Sequence, residues 1–386
     1  MKSVYLDYNA SAPLDPRVAD TMLPILIEGV GNASSVHRFG HQQNALVEVA
    51  REHVGVMAGV HPSNVVFTAG ATESNNLALR GVVEGAPLGR SRLLISAVEH
   101  ASVRETARWL SEQGLIKLDV IPVTEGGFVD IDALESMIDS DVALVSVMAA
   151  NSETGVLNAV EEIAERSHAV GALFHCDATQ TAGRLPFDLE RIGADLASLS
   201  SHKICGPTGV GALIGTRRGL RRLRPIIHGG GHERGLRSGS LNVAGIAGFG
   251  TAARIAAKER TSESERIAVE RDRLTDTLKS RLAGVHEVGD VSRRLSNTAS
   301  IRFEGADGEA VVTNMDSVAV STGSACAAGS IEPSEVLLAM GIPRDAAFET
   351  VRFSLGRFTT TKDIDLAVES AVAAVQHVRH MARRVA

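Results

Sequence analysis

The runs ALFHCDATQ (172–180) and LASLSSHK (196–203) decide the fold. Each begins with apolar and small residues and ends in polar ones, which is typical of a buried strand that leads into a loop. Asp177 directly follows the first strand pattern, with Gln180 shortly after it, and His202 and Lys203 follow the second. Because ligands in open parallel sheets bind beyond the carboxyl ends of the strands, we expect Asp177 and Lys203 to face one crevice.

Strand and helix patterns alternate around these two runs. Strand patterns occur at 65–68, 92–97, 142–150 and 211–215, and helical patterns between them at 71–84 and 160–171. This alternation favours an α/β fold with a largely parallel sheet that helices cover on both faces. A charged helical segment (252–282) then leads into closely spaced strand patterns, TASIRFEG, DSVAVSTG and TVRFSLG, which suggest a smaller α+β domain. We therefore predict a large domain at 13–255 and a small domain formed by 1–12 and 256–386.

Composition restricts the classes of function. The 386 residues are 44% apolar and carry a formal net charge of −7, and the strongest basic cluster (217–225) is short. Direct nucleic-acid binding is therefore not favoured. The start of the chain lacks a signal-peptide pattern and no apolar run is long enough to span a membrane, so we expect a cytoplasmic protein with no membrane association. The three cysteines form no CxxC pair, which argues against a disulfide framework and a cysteine-based metal site.

The residues after the predicted strands are suited to a phosphorylated cofactor. AGATES (69–74) places small residues before a helix, where we expect Thr72 to cap the helix and free amides to bind phosphate. An ordinary tight turn would explain the same residues. His100 follows another strand pattern and could stack on a planar cofactor, move protons, or be an ordinary loop histidine.

Asp177 and Lys203 are more informative as a pair. Pyridoxal phosphate (PLP) needs a lysine for its Schiff base and a carboxylate beside the pyridine nitrogen. Its phosphate needs a cradle, which Ala71, Thr72, Ser200 and His202 could supply. The alternative is a surface salt bridge within a polar loop.

Other polar stretches leave their roles open. HGGGHERGLRSGS (228–240) fits a flexible loop or an anion-binding nest, and Arg352 fits a carboxylate clamp or an edge-strand residue. Asn32 and His37 could line the site or cap a helix. Cys176 and Cys205 are interpreted as buried structural residues.

The motifs occur together in one known family. The chain resembles the cysteine desulfurases related to the iron–sulfur-cluster and nitrogen-fixation enzymes, from YLDYNASAPLDPRV (5–18) to SLGRFTTTKDID (354–365). The matching motifs follow in order: VFTAGATESNNLA, VEHASV, HCDATQTAGRLP, SHKICGPTGVGAL, HGGGHERGLRSG and STGSAC with IEPSEVLLAMG. The resemblance implies the fold of type-I PLP enzymes, with a mainly parallel seven-stranded sheet in the large domain, and a homodimer.

The resemblance also implies roles for individual residues. Lys203 would form the Schiff base, Asp177 and Gln180 would contact the ring, and His100 would stack on it and relay protons. The phosphate would be held by Ala71, Thr72, Ser200, His202 and, from the partner subunit, Ser240. Arg352 and Asn32 would receive the substrate carboxylate. The family's usual asparagine pair is Asn151–Ser152 here, so either residue could contact the ring oxygen.

The implied reaction converts L-cysteine to L-alanine. Cys326 matches the catalytic cysteine, which would attack the substrate sulfur, carry it as a persulfide and pass it to an acceptor protein. The acceptor could serve iron–sulfur-cluster assembly, tRNA thiolation or DNA phosphorothioation. The alternatives are another PLP-dependent lyase, acting on selenocysteine or on cysteine conjugates, and a catalytically silent subunit with this fold. The small residues of STGSACAAG (321–329) predict a segment that can move its thiol between substrate and acceptor.

Overall fold

The computed structural model describes residues 3–323 and 332–385. The helices, numbered α1 to α12 in chain order, are Pro16–Glu28, Arg38–Ala58, Ala71–Glu84, Ala101–Glu112, Ile131–Met137, Val160–Ala169, Arg217–Arg222, Val243–Arg281, Gly308–Thr313, Glu335–Ala339, Arg344–Phe348 and Thr361–Val385. The strands, numbered β1 to β13, are Val4–Tyr5, Val65–Thr68, Arg92–Ser96, Lys117–Ile121, Val142–Met148, Leu173–Asp177, Leu196–Ser200, Gly211–Gly215, Val285–Glu287, Thr298–Phe303, Val318–Ala319, Ser321–Thr322 and Thr350–Ser354. Within these described ranges no helix combines the length and apolar composition needed to cross a bilayer.

A seven-stranded sheet forms the centre of the fold, in the order β2-β8-β7-β6-β5-β3-β4. Strand β8 runs antiparallel to both of its neighbours, and all the other pairs are parallel. The prediction of an α/β fold with a mainly parallel sheet is therefore confirmed. The residues of β5, β6, β7 and β8 are all buried, which explains their apolar runs.

One strand of this sheet was not predicted. Strand β4 (KLDVI) lies at the sheet edge beside β3, and only its last residue, Ile121, is buried. An edge strand with charged side chains lacks the apolar run by which the inner strands were recognised.

The first strand and the strands after α8 form two smaller sheets. Strands β12, β13, β10 and β9 form an antiparallel sheet, and β1 pairs in parallel with β11. A separate core lies beneath them, built from β10, β13, α12 and the later part of α8.

Helix α8 belongs to both parts of the fold. Asn242 caps it by accepting a hydrogen bond from the Gly245 amide at 3.0 Å. Its small first residues pack against α2, where a Cβ on Gly250 would lie 2.4 Å from the Ala50 Cα. Its later residues Ile267, Leu274 and Leu278 join the second core. The predicted boundary at 255/256 falls inside this helix, and the division into domains stays a prediction.

Candidate active site

A pocket of about 820 Å³ opens at the carboxyl ends of β6 and β7, within the range of small-molecule sites. Arg352 on β13, a strand of the smaller antiparallel sheet, closes one side of this pocket. The lining residues are Asn9, Ala10, Ala69, Gly70, Ala71, Thr72, Glu73, Asn76, His100, Met148, Ala150, Ser152, Asp177, Thr179, Gln180, Ser200, His202, Lys203, Thr208, Gly209, Ile226 and Arg352.

Asp177 ends β6 and is fixed from two sides. Its Oδ1 accepts a hydrogen bond from the Thr179 amide at 3.0 Å, and its Oδ2 accepts one from Asn75 Nδ2 at 2.9 Å. The side chain is only 5% exposed. A carboxylate held in this way presents a fixed negative charge to the pocket.

Lys203 lies in a 3₁₀ turn, Ser201–Ile204, that directly follows β7. Its Nζ donates to the backbone carbonyl oxygen of Ala10 at 2.8 Å and to that of Asn9. The amine and the Asp177 carboxylate therefore belong to one cavity, as the strand-end positions predicted.

His100 is the N-cap of α4 and is held through Ser102. Its Nδ1 accepts from the Ser102 amide at 3.1 Å and lies 2.8 Å from Ser102 Oγ, which itself accepts from Asn75 Nδ2 at 2.8 Å. With Nδ1 as acceptor, the proton of the neutral ring belongs on Nε2. Burial lowers the pKa of His100 most, the Asp177 carboxylate raises it and Lys203 lowers it. The imidazole is therefore suited to be neutral at physiological pH.

The start of α3 is a candidate phosphate site. The helix begins at Ala71 after Gly70, and no side chain caps it. The expectation that Thr72 caps this helix is therefore wrong, because Thr72 lies inside the first turn. Uncapped amides at the positive end of a helix favour an anionic group. Gly211 allows the turn to pack on β8, since a Cβ there would lie 2.7 Å from the Gly70 Cα.

His202 lines the same pocket as this turn. Burial, together with Lys203 and Arg184, lowers the pKa of His202 to about 4. Its Nδ1 lies 3.1 Å from Ser11 Oγ. A neutral imidazole can hydrogen-bond to a phosphate without needing a counter-ion of its own.

Arg352 reaches the pocket from the middle of β13. It is 4% exposed and donates to Asp7 Oδ1 at 2.7 Å and to the Ser152 carbonyl oxygen at 3.1 Å. Its Nε is buried and has no hydrogen-bond partner among the described residues. A guanidinium in this state is a ready donor for a carboxylate.

A second, smaller pocket of about 120 Å³ lies beside the first and shares His100, Met148 and Ser152 with it. The buried Glu99 and the half-buried Glu153 are among its lining residues. Burial raises the pKa of Glu99 to about 8 and that of Glu153 to about 7. Glu153 accepts a hydrogen bond of 2.5 Å from Ser334, the N-cap of α10.

The structure brings together ten of the residues predicted for the site. Those lining the main pocket are Ala71, Thr72, His100, Ser152, Asp177, Gln180, Ser200, His202, Lys203 and Arg352. Three others lie elsewhere. Asn32 and Ser240 are exposed, and Asn32 accepts from the Ser34 amide. Asn151 lines the smaller pocket, where its Nδ2 donates to the Val98 carbonyl oxygen at 3.1 Å and its Oδ1 accepts from the amides of Glu153 and Thr154.

Two further predictions have different outcomes. His37 caps α2, with its Nδ1 accepting from the Gly40 amide, so the capping alternative is confirmed for it. Cys326 lies outside the described residues. Its expected motion and its distance from the pocket therefore stay predictions. No cluster of metal-ligating side chains occurs in residues 3–323 and 332–385.

Sequence reasoning missed Asn9 and Asn75 as site residues. Asn9 supports Lys203 through its carbonyl oxygen and donates to Thr298 Oγ1 at 2.9 Å. Asn75 is fully buried in α3. A fully buried amide needs partners, but the sequence does not indicate which ones it finds.

An α/β fold that brings a lysine, an aspartate and an uncapped helix start to one pocket is suited to bind a phosphorylated cofactor. The sequence profile of the class-V aminotransferases matches residues 4–366, and the chain belongs to that family. The chain is 45% identical to the cysteine desulfurase of Frankia sp. (strain EuIK1), over 98% of this chain and 93% of the relative. It is 44% identical to the cysteine desulfurase IscS of Anaeromyxobacter sp. (strain Fw109-5), over 98% and 94%.

The fold agrees with that of a solved relative. A structure described as a NifS-like protein superposes with a TM-score of 0.90 at 36% identity, covering 97% of this chain and all of the other. The resemblance to the cysteine desulfurases and the type-I fold are therefore confirmed.

Proposed function

We propose that this protein is a PLP-dependent cysteine desulfurase that takes sulfur from L-cysteine, releases L-alanine and passes the sulfur to an acceptor protein. The observation that carries this proposal is the single pocket in which the Lys203 amine, the Asp177 carboxylate and the uncapped start of α3 meet. The chain's similarity to relatives named cysteine desulfurase supports the choice of substrate.

The residues of the pocket fit PLP. The fixed carboxylate of Asp177 would accept a hydrogen bond from the protonated pyridine nitrogen, and Lys203 would hold the aldehyde carbon. The amides of Ala71 and Thr72, with Ser200 and His202, would hold the phosphate. Because Asn151 uses its amide on backbone groups, Ser152 is the better candidate for the ring oxygen.

Once bound, PLP would act as an electron sink for charge that develops at the substrate α-carbon. Lys203 would take and return the α-proton, and the neutral imidazole of His100 would move protons at Nε2. Arg352, which is held by Asp7 and by the Ser152 carbonyl oxygen, would bind the substrate carboxylate with its guanidinium. The buried setting of this guanidinium excludes water and strengthens the contact.

Cys326 is proposed as the sulfur acceptor of the first half-reaction. Its thiolate would attack the substrate sulfur, the S–S bond would form as the C–S bond breaks, and the electron pair would pass to the carbon skeleton that becomes alanine. The two cysteines that the structure describes are poor nucleophiles. Burial raises the pKa of Cys176 well above its usual range and that of Cys205 to about 11.

A homodimer is proposed from the surface of the chain. The exposed residues Leu23, Leu26 and Ile27 on α1 lie beside the exposed Val30 in sequence, and apolar clusters of this kind mark interfaces. Ser240 is also exposed, which suits a residue that completes the phosphate site of the partner subunit. Light scattering after size exclusion should give the mass of two chains, and Leu26→Asp should shift it toward one.

The reaction is tested with purified holoenzyme and L-cysteine. Cys326→Ser should keep the visible absorption of the bound cofactor and lose alanine formation, while Cys205→Ser should keep both. After borohydride reduction and denaturation, Lys203→Ala should carry no covalently bound cofactor. Undiminished alanine formation by Cys326→Ser would contradict the nucleophile, and formation of pyruvate and ammonia would indicate a β-lyase instead.

The acceptor is sought separately. The persulfide is loaded with sulfur-35 from labelled cysteine and incubated with a lysate under non-reducing conditions. Label is expected on one acceptor of an iron–sulfur, tRNA-thiolation or DNA-phosphorothioation system. Label that leaves only as sulfide would argue against protein-to-protein transfer.

A further inference from the structure

A carboxylate lies in the first turn of α3, beside the proposed phosphate site. Glu73 is in the first turn of α3 and lines the main pocket, only 14% of its side chain being exposed. Its Oε2 accepts a hydrogen bond from the Ala69 amide at 2.8 Å, which fixes the turn that precedes the helix. The contact stabilises the turn, but it leaves a negative charge beside a site meant for a phosphate dianion.

An arginine from the glycine-rich loop 228–240 covers this carboxylate. Arg237 Nε donates to Glu73 Oε1 at 2.9 Å, and its Nη2 lies 3.4 Å from Glu73 Oε2. Only 19% of the arginine side chain is exposed, so solvent screens the pair weakly. The nearly parallel contacts neutralise the carboxylate without displacing it from the Ala69 amide.

The loop that carries Arg237 is anchored in the core. Glu233 pairs with the buried Arg51 through two hydrogen bonds of 2.8 Å, and its Oε2 also accepts from the Phe67 amide. Glu233 and Arg234 both have positive φ, 48° and 57°, which non-glycine residues adopt only when their surroundings hold them there. This anchor fixes the path of the loop toward the pocket.

We propose that Arg237 is a positioning residue for the phosphate group of the cofactor. By pairing with Glu73, it removes the charge that would repel the phosphate and keeps the carboxylate on the Ala69 amide. Arg237 acts through Glu73 and the α3 turn. The inference rests on the proposed PLP site and adds an electrostatic requirement to it.

The test measures cofactor affinity of the full-length apoprotein by absorbance titration with PLP. Arg237→Gln should raise the Kd at least tenfold because the Glu73 charge is no longer neutralised. Glu73→Gln should not weaken PLP binding, because it leaves a positive charge beside the phosphate, and the double variant should return to within about threefold of the wild type. Arg80→Gln is the matched control, since it breaks the Arg80–Glu84 pair near the other end of the same helix.

Pyridoxal, which lacks the phosphate, separates electrostatics from damage to the site. Its affinity should be equal in all these variants. Equal weakening of pyridoxal and PLP by Arg237→Gln, or a double variant as weak as Arg237→Gln, would overturn the inference while leaving the proposed function intact. Wild-type apoprotein that binds no PLP would overturn the proposed function itself.

Discussion

Replacing Glu233 with glutamine should destabilise the protein strongly, although the residue lies outside the main pocket. The substitution keeps the size and shape of the side chain, but it removes the charge and replaces one acceptor oxygen with an NH2 donor that faces Arg51 or the Phe67 amide. Arg51, which is 4% exposed, then loses its buried counter-ion and keeps the carbonyl oxygen of Val65 at 2.9 Å and the exposed Glu48 at 3.1 Å. The guanidinium would remain buried with much less compensation.

The size of the effect follows from the burial of both partners. Removing one member of a buried ion pair lowers the free energy of unfolding by about 3–5 kcal/mol, and the contact with Glu48 favours the lower end, about 3 kcal/mol. An unfolding entropy of about 2.1 cal/mol/K per residue gives about 0.8 kcal/mol/K for the 386-residue chain. The Tm should therefore fall by about 4 °C.

The assay is differential scanning calorimetry of the apoprotein, so that cofactor binding does not contribute. Arg51→Met with Glu233→Gln should recover most of the lost stability, because neither charge is then buried alone. Glu369→Gln, which breaks the exposed pair with Arg281, is the control and should shift the Tm by less than about 1 °C. A Glu233→Gln protein with an unchanged Tm, or a double variant that loses the sum of the single losses, would refute the reasoning.

Three other perturbations test the site. Burial raises the pKa of Glu153 to about 7, so above about pH 4.5 the folded state holds a proton that the unfolded chain has released. The free energy of unfolding should therefore fall as the pH rises from about 5 to 8, and calorimetry should show a smaller fall for Glu153→Gln. Asn75→Leu removes the donor to Asp177 at 2.9 Å and should lower cofactor affinity about tenfold, as read by PLP titration, whereas an unchanged Kd would show that Asp177 needs no such support. Arg352→Lys keeps the charge but loses the planar donor set, so steady-state kinetics should show a KM for cysteine raised at least tenfold with a smaller change in kcat; equal changes in both would argue against carboxylate binding.

The central sheet was predictable because its inner strands are buried on both faces. Such strands read as short apolar runs, and the polar residues that follow them mark the edge where a ligand binds. That is why Asp177 and Lys203 could be placed in one pocket from their positions after the strands, whereas the role of His100 stayed open until the family resemblance was considered. Strand β4 was not predicted because an exposed edge strand carries no such apolar run.

The sequence pattern could not predict residues whose role depends on a partner far away in the chain. Asn75 reaches Asp177 across 102 positions and Arg237 reaches Glu73 across 164, and neither spacing follows a helical or strand period.

The start of α3 was also predicted wrongly, although the residues concerned are close together in sequence. A threonine next to the start of α3 suggested a cap, but the helix begins without one and Glu73 turns back to the Ala69 amide instead. An uncapped start leaves the first amides open to a ligand, and the negative charge that Glu73 brings is then neutralised from the glycine-rich loop. The local departure from capping and the long-range ion pair are therefore two parts of the proposed anion site, and the sequence of α3 alone predicts neither of them.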